Sequence, residues 1–341
     1  MAYGATTLLE ARKAIENAQT AGITRNELRM PTFGAFKAHV DNAGLLIPGL
    51  DITDLRKYTG QPTKVAVRVK GAAGTGTTRK CAGTGTGTTA LKSLTFQTIV
   101  EEFAISYLES ATNQFDYQQM FNFQLAERLR SAYTRLDAAA VAHLEAIKST
   151  VNNGTRYSTS VANAKRVPFN DYNRLFGRLT TEMMGNDFAG LADIVASPNL
   201  ADAWNYVMRQ GAGNGQNLGF QVDDYRMYFD RFIADGTGVD STAYLFAPGT
   251  IGVFPWTNQL ARDGKDIGTD VWTTFTDPVM GITWELKMKK GCADSSATVT
   301  GGEADYVESF VLSAEFAFTE AYTSTGDTGV YKYEVLDEVV A

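Results

Sequence analysis

The chain has 341 residues, 44% of them hydrophobic and 20% charged, which is ordinary globular composition and argues against disorder. Its net charge of -7 and pI near 5.1 set it against phosphate backbones, which argues against sequence-wide nucleic-acid binding and leaves room only for a local basic patch. The two cysteines, Cys81 and Cys292, are single and far apart, which rules out a zinc ribbon or a disulfide framework. No run of about 18 apolar residues occurs, so no membrane-spanning helix is expected. Met1 to Glu10 lacks a basic start and an apolar stretch, so no secretory signal is expected either.

In chain order, Thr6 to Gln19 has helical spacing at Leu8, Leu9, Ala11 and Ile15. Gly22, Pro31, Gly34, Gly44, Pro48 and Gly49 then interrupt. So many breakers predict an extended arm over residues 1–59 with no long element. "KVAVRVK", Lys64 to Lys70, alternates: Val65, Val67 and Val69 face one way, and Lys64, Ala66, Arg68 and Lys70 the other. Leu91 to Val100 is rich in β-branched and aromatic residues and reads as the returning strand. Between them lie about 20 residues dominated by Gly and Thr, a connection of a length that is usually functional.

From Phe115 to Val151 there is neither proline nor glycine. Leu125, Leu129, Tyr133, Leu136, Ala140, Leu144, Ile147 and Val151 recur at spacings of three or four and define one helical face. A helix of that length would extend roughly 55 Å, so the molecule is expected to be an elongated tile. After a polar connector over Tyr157 to Arg166, Pro168 to Met184 reads as helix, and Leu191 to Ala196 as a short strand. Pro198 sits at a helix start, and "GAGNGQNLG" is a glycine-rich turn. Gln221 to Ile233, Ala243 to Phe246, Gly249 to Trp256, Ile282 to Met288 and Ser309 to Tyr322 supply further strands.

No site chemistry assembles itself from these residues. "GTGTTA", Gly85 to Ala90, fits the dinucleotide fingerprint with Glu109 downstream, but that motif needs a strand just before it and a helix opening within it. Here "RKCA" precedes and a β-branched run follows. His39 and His143 each lack a partner at ligand spacing and read as structural or solvated. Glu101 and Glu102 are adjacent, so on a strand they point to opposite faces. Asp263 to Asp270 departs from a calcium loop. No catalytic, cofactor-binding or metal residue is assigned. The two thiols share a cationic setting, Arg79-Lys80-Cys81 and Lys289-Lys290-Gly291-Cys292, which favours thiol reactivity. They are candidates to meet between subunits, against the reading of two unrelated surface thiols, and non-reducing electrophoresis separates the two.

This order of elements resembles the major capsid protein of tailed bacteriophages, the Hong Kong ninety-seven-type fold. "LIPGLDITDLRKYTG" before the glycine-threonine excursion, "IVASPNLADAW" in the middle and "YLFAPGTIGVFPW" after it match that family's wording. The resemblance implies an α+β fold with an N-terminal arm (1–59) and an extended β-hairpin loop (60–100). It implies a peripheral domain (101–190) with a spine helix over 115–151, an axial α/β domain (191–272), and a return to the peripheral domain (273–341). It implies a non-enzymatic subunit that self-assembles into pentamers and hexamers and an icosahedral shell around double-stranded DNA, without sequence-specific contact. Expected partners are other copies, a separate scaffolding protein, a portal and decoration proteins, with no membrane and no cofactor. The expected location is the virion, after assembly in the host cytoplasm. Lys64, Arg68, Lys70, Arg79, Lys80, Cys81 and Cys292 are then the candidates for inter-subunit contact. Two alternatives stand beside this: an encapsulin-like compartment shell, and a nucleotide-binding α/β enzyme.

Overall fold

The computed structural model describes residues 34–46, 64–68, 70, 89–106, 117–154, 156–159, 163–189, 191–202, 225–256, 264, 266–267, 270–277, 282–292, 306–322 and 326–337. The Thr6–Gln19 helix, the glycine-rich turn and the tip of the excursion lie outside these residues. Helix α1 (Ala35–Leu46) comes first, followed by strands β1 (Lys64–Arg68), β2 (Thr89–Ser93) and β3 (Gln97–Ser106) and the long helix α2 (Tyr117–Ile147). Strands β4 (Ser158–Thr159) and β5 (Ala164–Val167) lead through a 3₁₀ turn (Phe169–Arg174) into α3 (Leu175–Gly185) and β6 (Ala192–Ala196). The remainder is strand: β7 (Tyr225–Phe229), β8 (Val239–Phe246), β9 (Ile251–Trp256), β10 (Asp266–Ile267), β11 (Asp270–Thr276), β12 (Thr283–Cys292), β13 (Tyr306–Glu320) and β14 (Val330–Leu336).

The helical face read from spacing is the buried face of α2: Leu125, Leu129, Tyr133, Leu136, Ala140, Leu144 and Ile147 are all buried. The helix described is 31 residues, roughly 46 Å, and it ends before the expected Val151. Val151 lies beyond it and is 42% exposed, because the chain leaves the helix when Ser149 N–H turns to the Val330 carbonyl at 2.7 Å. The helix packs on a six-stranded sheet ordered β10-β11-β12-β13-β3, with β9 pairing β13 further along. Phe103, Phe121 and Phe310 meet at ring distances of 4.9 to 5.7 Å, and Tyr133 stands edge-on to the buried Trp284 at 6.2 Å.

A second six-stranded sheet runs β4-β5-β14-β8-β6-β7, with β14–β5 and β6–β7 parallel. All five residues of β6 are buried, as a central strand covered on both faces requires. Leu175, Phe176, Leu179 and Met183 of α3 pack over Tyr331, Tyr333 and Val335. This sheet draws on 158–167, 192–196, 225–246 and 330–336, so it crosses the boundaries expected at 190 and 272. The polar connector is corrected as well, since it contains β4 and β5. Lys165 is 5% exposed there because its ammonium donates to the Gly154 and Tyr157 carbonyls at 2.8 and 2.9 Å.

The expected breaker-rich strap holds a helix, and that helix lies at the centre. Ala35, Phe36 and Ala38 of α1 are fully buried in the core that joins both sheets. Two distant carboxylates satisfy its first N–H groups: Asp230 accepts from Ala35 at 2.8 Å and Asp137 from Phe36 at 3.1 Å. Gly34 is required by this approach, because a Cβ there would lie 2.4 Å from Asp137 Oδ1. Further along, Asn42 donates to Asp193 at 2.7 Å and accepts from Gly249 N–H at 2.7 Å. Gly249, at φ +79°, turns the chain from β8 into β9, and so from one sheet into the other, after Pro248.

Burial first, and Asp230 second, raise the Asp137 carboxyl to about 8 against the pull of Phe36 N–H and Arg231. The native state therefore keeps a proton that the unfolded chain has released above about pH 4, and stability falls as pH rises from there to about 8. Between pH 6.5 and 8 the expected loss is about 1.5 kcal/mol. Asp137→Asn should remove that decline in denaturant titrations. A decline equal to the native chain's would mean another group titrates.

Candidate functional site

The site of interest is the root of the β1–β2 hairpin. The two strands pair antiparallel from Lys64↔Ser93 to Arg68↔Thr89 and form a sheet of their own, outside both six-stranded sheets. The alternation holds over the described strand, where Val65 and Val67 are buried on the body and Lys64, Ala66 and Arg68 are exposed; Lys70, read as outward with them, lies past the strand and is half-buried. On the returning strand Leu91, opposite Ala66, is 70% exposed. The returning run is not one strand. It breaks at 94–96, and β3 departs into the large sheet.

Three residues of the root, Arg68, Lys70 and Lys92, fasten it to its own chain. The Arg68 N–H donates to the Ala321 carbonyl at 2.8 Å, placing β1 beside the end of β13. The Lys70 ammonium donates to the Asn186 carbonyl, pairs with Asp327 at 2.5 Å and lies 4.4 Å over the Phe188 ring. Tyr331 hydroxyl donates to the same Asp327 at 2.7 Å. On the other strand, the Lys92 ammonium pairs with Glu320, which is 1% exposed.

The sequence-derived contact candidates therefore separate. Lys64 and Arg68 point outward. Lys70 is engaged inside its own subunit. Cys292 ends β12, its backbone opposite Tyr306, and Arg79, Lys80 and Cys81 lie outside the described residues. Sequence reading missed Lys92, Glu320, Phe188 and Asp327, which are polar or aromatic residues with no local pattern to mark them.

It also missed that the two histidines meet. His39 of α1 and His143 of α2 are 104 positions apart, yet His39 Nε2 and His143 Nδ1 lie 3.1 Å from each other. His143 stacks on Phe318 with ring centres 5.0 Å apart, and its Nε2 lies 3.6 Å from Glu320 Oε2. Burial first, then His143, holds His39 down to about 3. Burial also lowers His143, partly offset by Glu320. Burial pushes against ionisation of Glu320, but His143 and Lys92 outweigh it and hold the carboxyl below its ordinary range. Beside this cluster lies a cavity of about 370 Å³ between the 92–97 connection and the small residues Ala139, Ala142 and Ala146 of α2.

No group of three or more His, Cys, Asp or Glu with metal-holding geometry occurs among the described residues. Glu101 is 8% exposed and Glu102 exposed, so they occupy opposite faces of β3 as expected. Thr89 and Ala90, at the end of the fingerprint-like tract, are in strand β2. A dinucleotide motif would require helix there.

No protein-family model matches the chain, and no curated protein sequence matches it. Solved structures with a similar chain trace include that of Mycobacterium phage Che8, with 11% identity, 83% of this chain and 90% of the other covered, and a TM-score of 0.45. The capsid of cyanophage P-SCSP1u gives 11% identity, 81% and 84% coverage and a TM-score of 0.43. The capsid of a native GTA particle gives 11% identity, 85% and 93% coverage and a TM-score of 0.44. The likeness is one of mixed α+β fold.

Proposed function

We propose that this chain is a structural subunit, a major capsid protein of the tailed-phage type. Its copies join into pentamers and hexamers and close an icosahedral shell around double-stranded DNA. The observation that carries the reading is the hairpin root. A lone two-stranded ribbon is marginal in water. Here it covers Val65 and Val67 with its own body and leaves Lys64, Arg68 and the apolar Leu91 facing outward. Lys70 and Lys92 fasten its base at a defined place. Such a fixture suits a heterologous contact in which each copy's excursion lies on the next, the geometry that closes rings. The basic outward face meeting an acidic neighbour sets register and rate of encounter.

The net charge of -7 suits a container that does not adhere to its contents. Other copies, a separate scaffolding protein, a portal and decoration proteins are the partners of this reading, with assembly in the host cytoplasm and residence in the virion. No catalysis is assigned. Electron microscopy and size exclusion of the purified full chain test it: closed megadalton shells are expected. A monomer at every protein concentration, with a melting point raised by NAD or ATP, would overturn it. An encapsulin-like compartment would form shells too, and is separated by what they enclose, cargo enzyme in place of DNA.

A further inference from the structure

We propose that His143 is a proton-operated release for the hairpin root: on taking up a proton it competes with Lys92 for Glu320 and loosens β2 from the body. This inference does not depend on assembly.

Hydrogen-bond partners fix the tautomers. The Ala35 carbonyl only accepts, so His39 Nδ1, 2.8 Å away, carries a hydrogen. His39 is neutral at ordinary pH, since burial first and His143 second depress its proton affinity. Its Nε2 is therefore a bare acceptor. His143 Nδ1, 3.1 Å from that acceptor, must donate to it. Neutral His143 thus has its only lone pair on Nε2, and that atom lies 3.6 Å from the Glu320 carboxylate, beyond hydrogen-bond reach. It is buried and has no hydrogen-bond partner. A single added proton turns this opposed pair into a charge-assisted contact.

The carboxylate oxygen that would receive it is the one Lys92 already holds. Two cations on one buried oxygen repel each other, and Lys92 is the one with somewhere to go. Its side chain is 35% exposed against 12% for His143, and the cavity lies beneath the 92–97 connection. The coupling must run both ways. Lys92 depresses the proton affinity of His143, so a proton on His143 weakens the hold of Lys92 by the same free energy. The groups facing His143 are His39 from α1, Glu320 and Phe318 from β13, and Lys92 from β2; Gln97 of β3, lining the same cavity, is uncharged. His39 is held too low to titrate in the same window, so it serves as the fixed acceptor.

The chain has two histidines, so NMR of the full-length protein can follow each imidazole separately. In Lys92→Met the His143 titration midpoint should move up while His39 stays where it was. In the native chain, amide-exchange protection of β2 should fall by about fivefold or more as pH drops through the His143 titration followed by NMR, which burial places below the ordinary histidine range, with α2 amides unaffected. His143→Gln should abolish that fall. A His143 midpoint indifferent to Lys92→Met would overturn the proposal, as would a His143→Gln hairpin that loosens with the native pH profile. Should His143→Gln fail to fold, the Lys92→Met titration decides alone.

Discussion

Replacing Phe36 by alanine is expected to destabilise the folded chain by about 4 kcal/mol, seen as a lower denaturant midpoint at unchanged slope. Phe36 is fully buried and stands edge-on to Phe316 and Phe318 at 5.9 and 6.1 Å. Its removal leaves a void among large rings on β13 that cannot collapse without shifting the strand. The effect extends beyond one contact, because α1 is tied to both layers: through Phe36 to the β13 sheet, and through Asn42 to Asp193 of β6. A cost below about 1 kcal/mol would show that α1 lies on the body and is not built into it.

The second large effect concerns association. Replacing Gly71–Thr88 by a short Gly/Ser link keeps every β1–β2 pair from Lys64↔Ser93 to Arg68↔Thr89 and keeps Lys70 on Asp327. Stability of the monomer should change by no more than about 0.5 kcal/mol. Shell yield by electron microscopy and size exclusion should fall to background. Normal shells from the shortened chain would remove the hairpin from the assembly reading.

Legibility in the sequence follows the range of the interaction. The face of α2 was readable because eight apolar positions recur at helical spacing within one uninterrupted stretch, and all of them but Val151, which lies past the helix end, are buried. β1 was readable from its alternation. α1 was not, since Gly44 and its flanking breakers argue against a helix whose first N–H groups are satisfied by Asp137 and Asp230, about 100 and 200 positions away. β5 carries a lysine where a core strand should be apolar, and only the Gly154 and Tyr157 carbonyls explain it. The root shows the same division. Its outward charges are local and were seen. Lys92–Glu320 and His39–His143 join residues 228 and 104 apart and leave no periodic trace.

β13 has a mechanical consequence. Its 15 residues extend roughly 50 Å. One edge is paired first to β12 and then to β9, and the other to β3 over ten residues. The hairpin joins the body at Ala321, one residue past its end. A pull on the hairpin along this line is delivered down the axis of β13, perpendicular to the ladder bonds on both sides. Those bonds then carry the load together in shear and do not break singly as in peeling, so β13 serves the plate as its tension member.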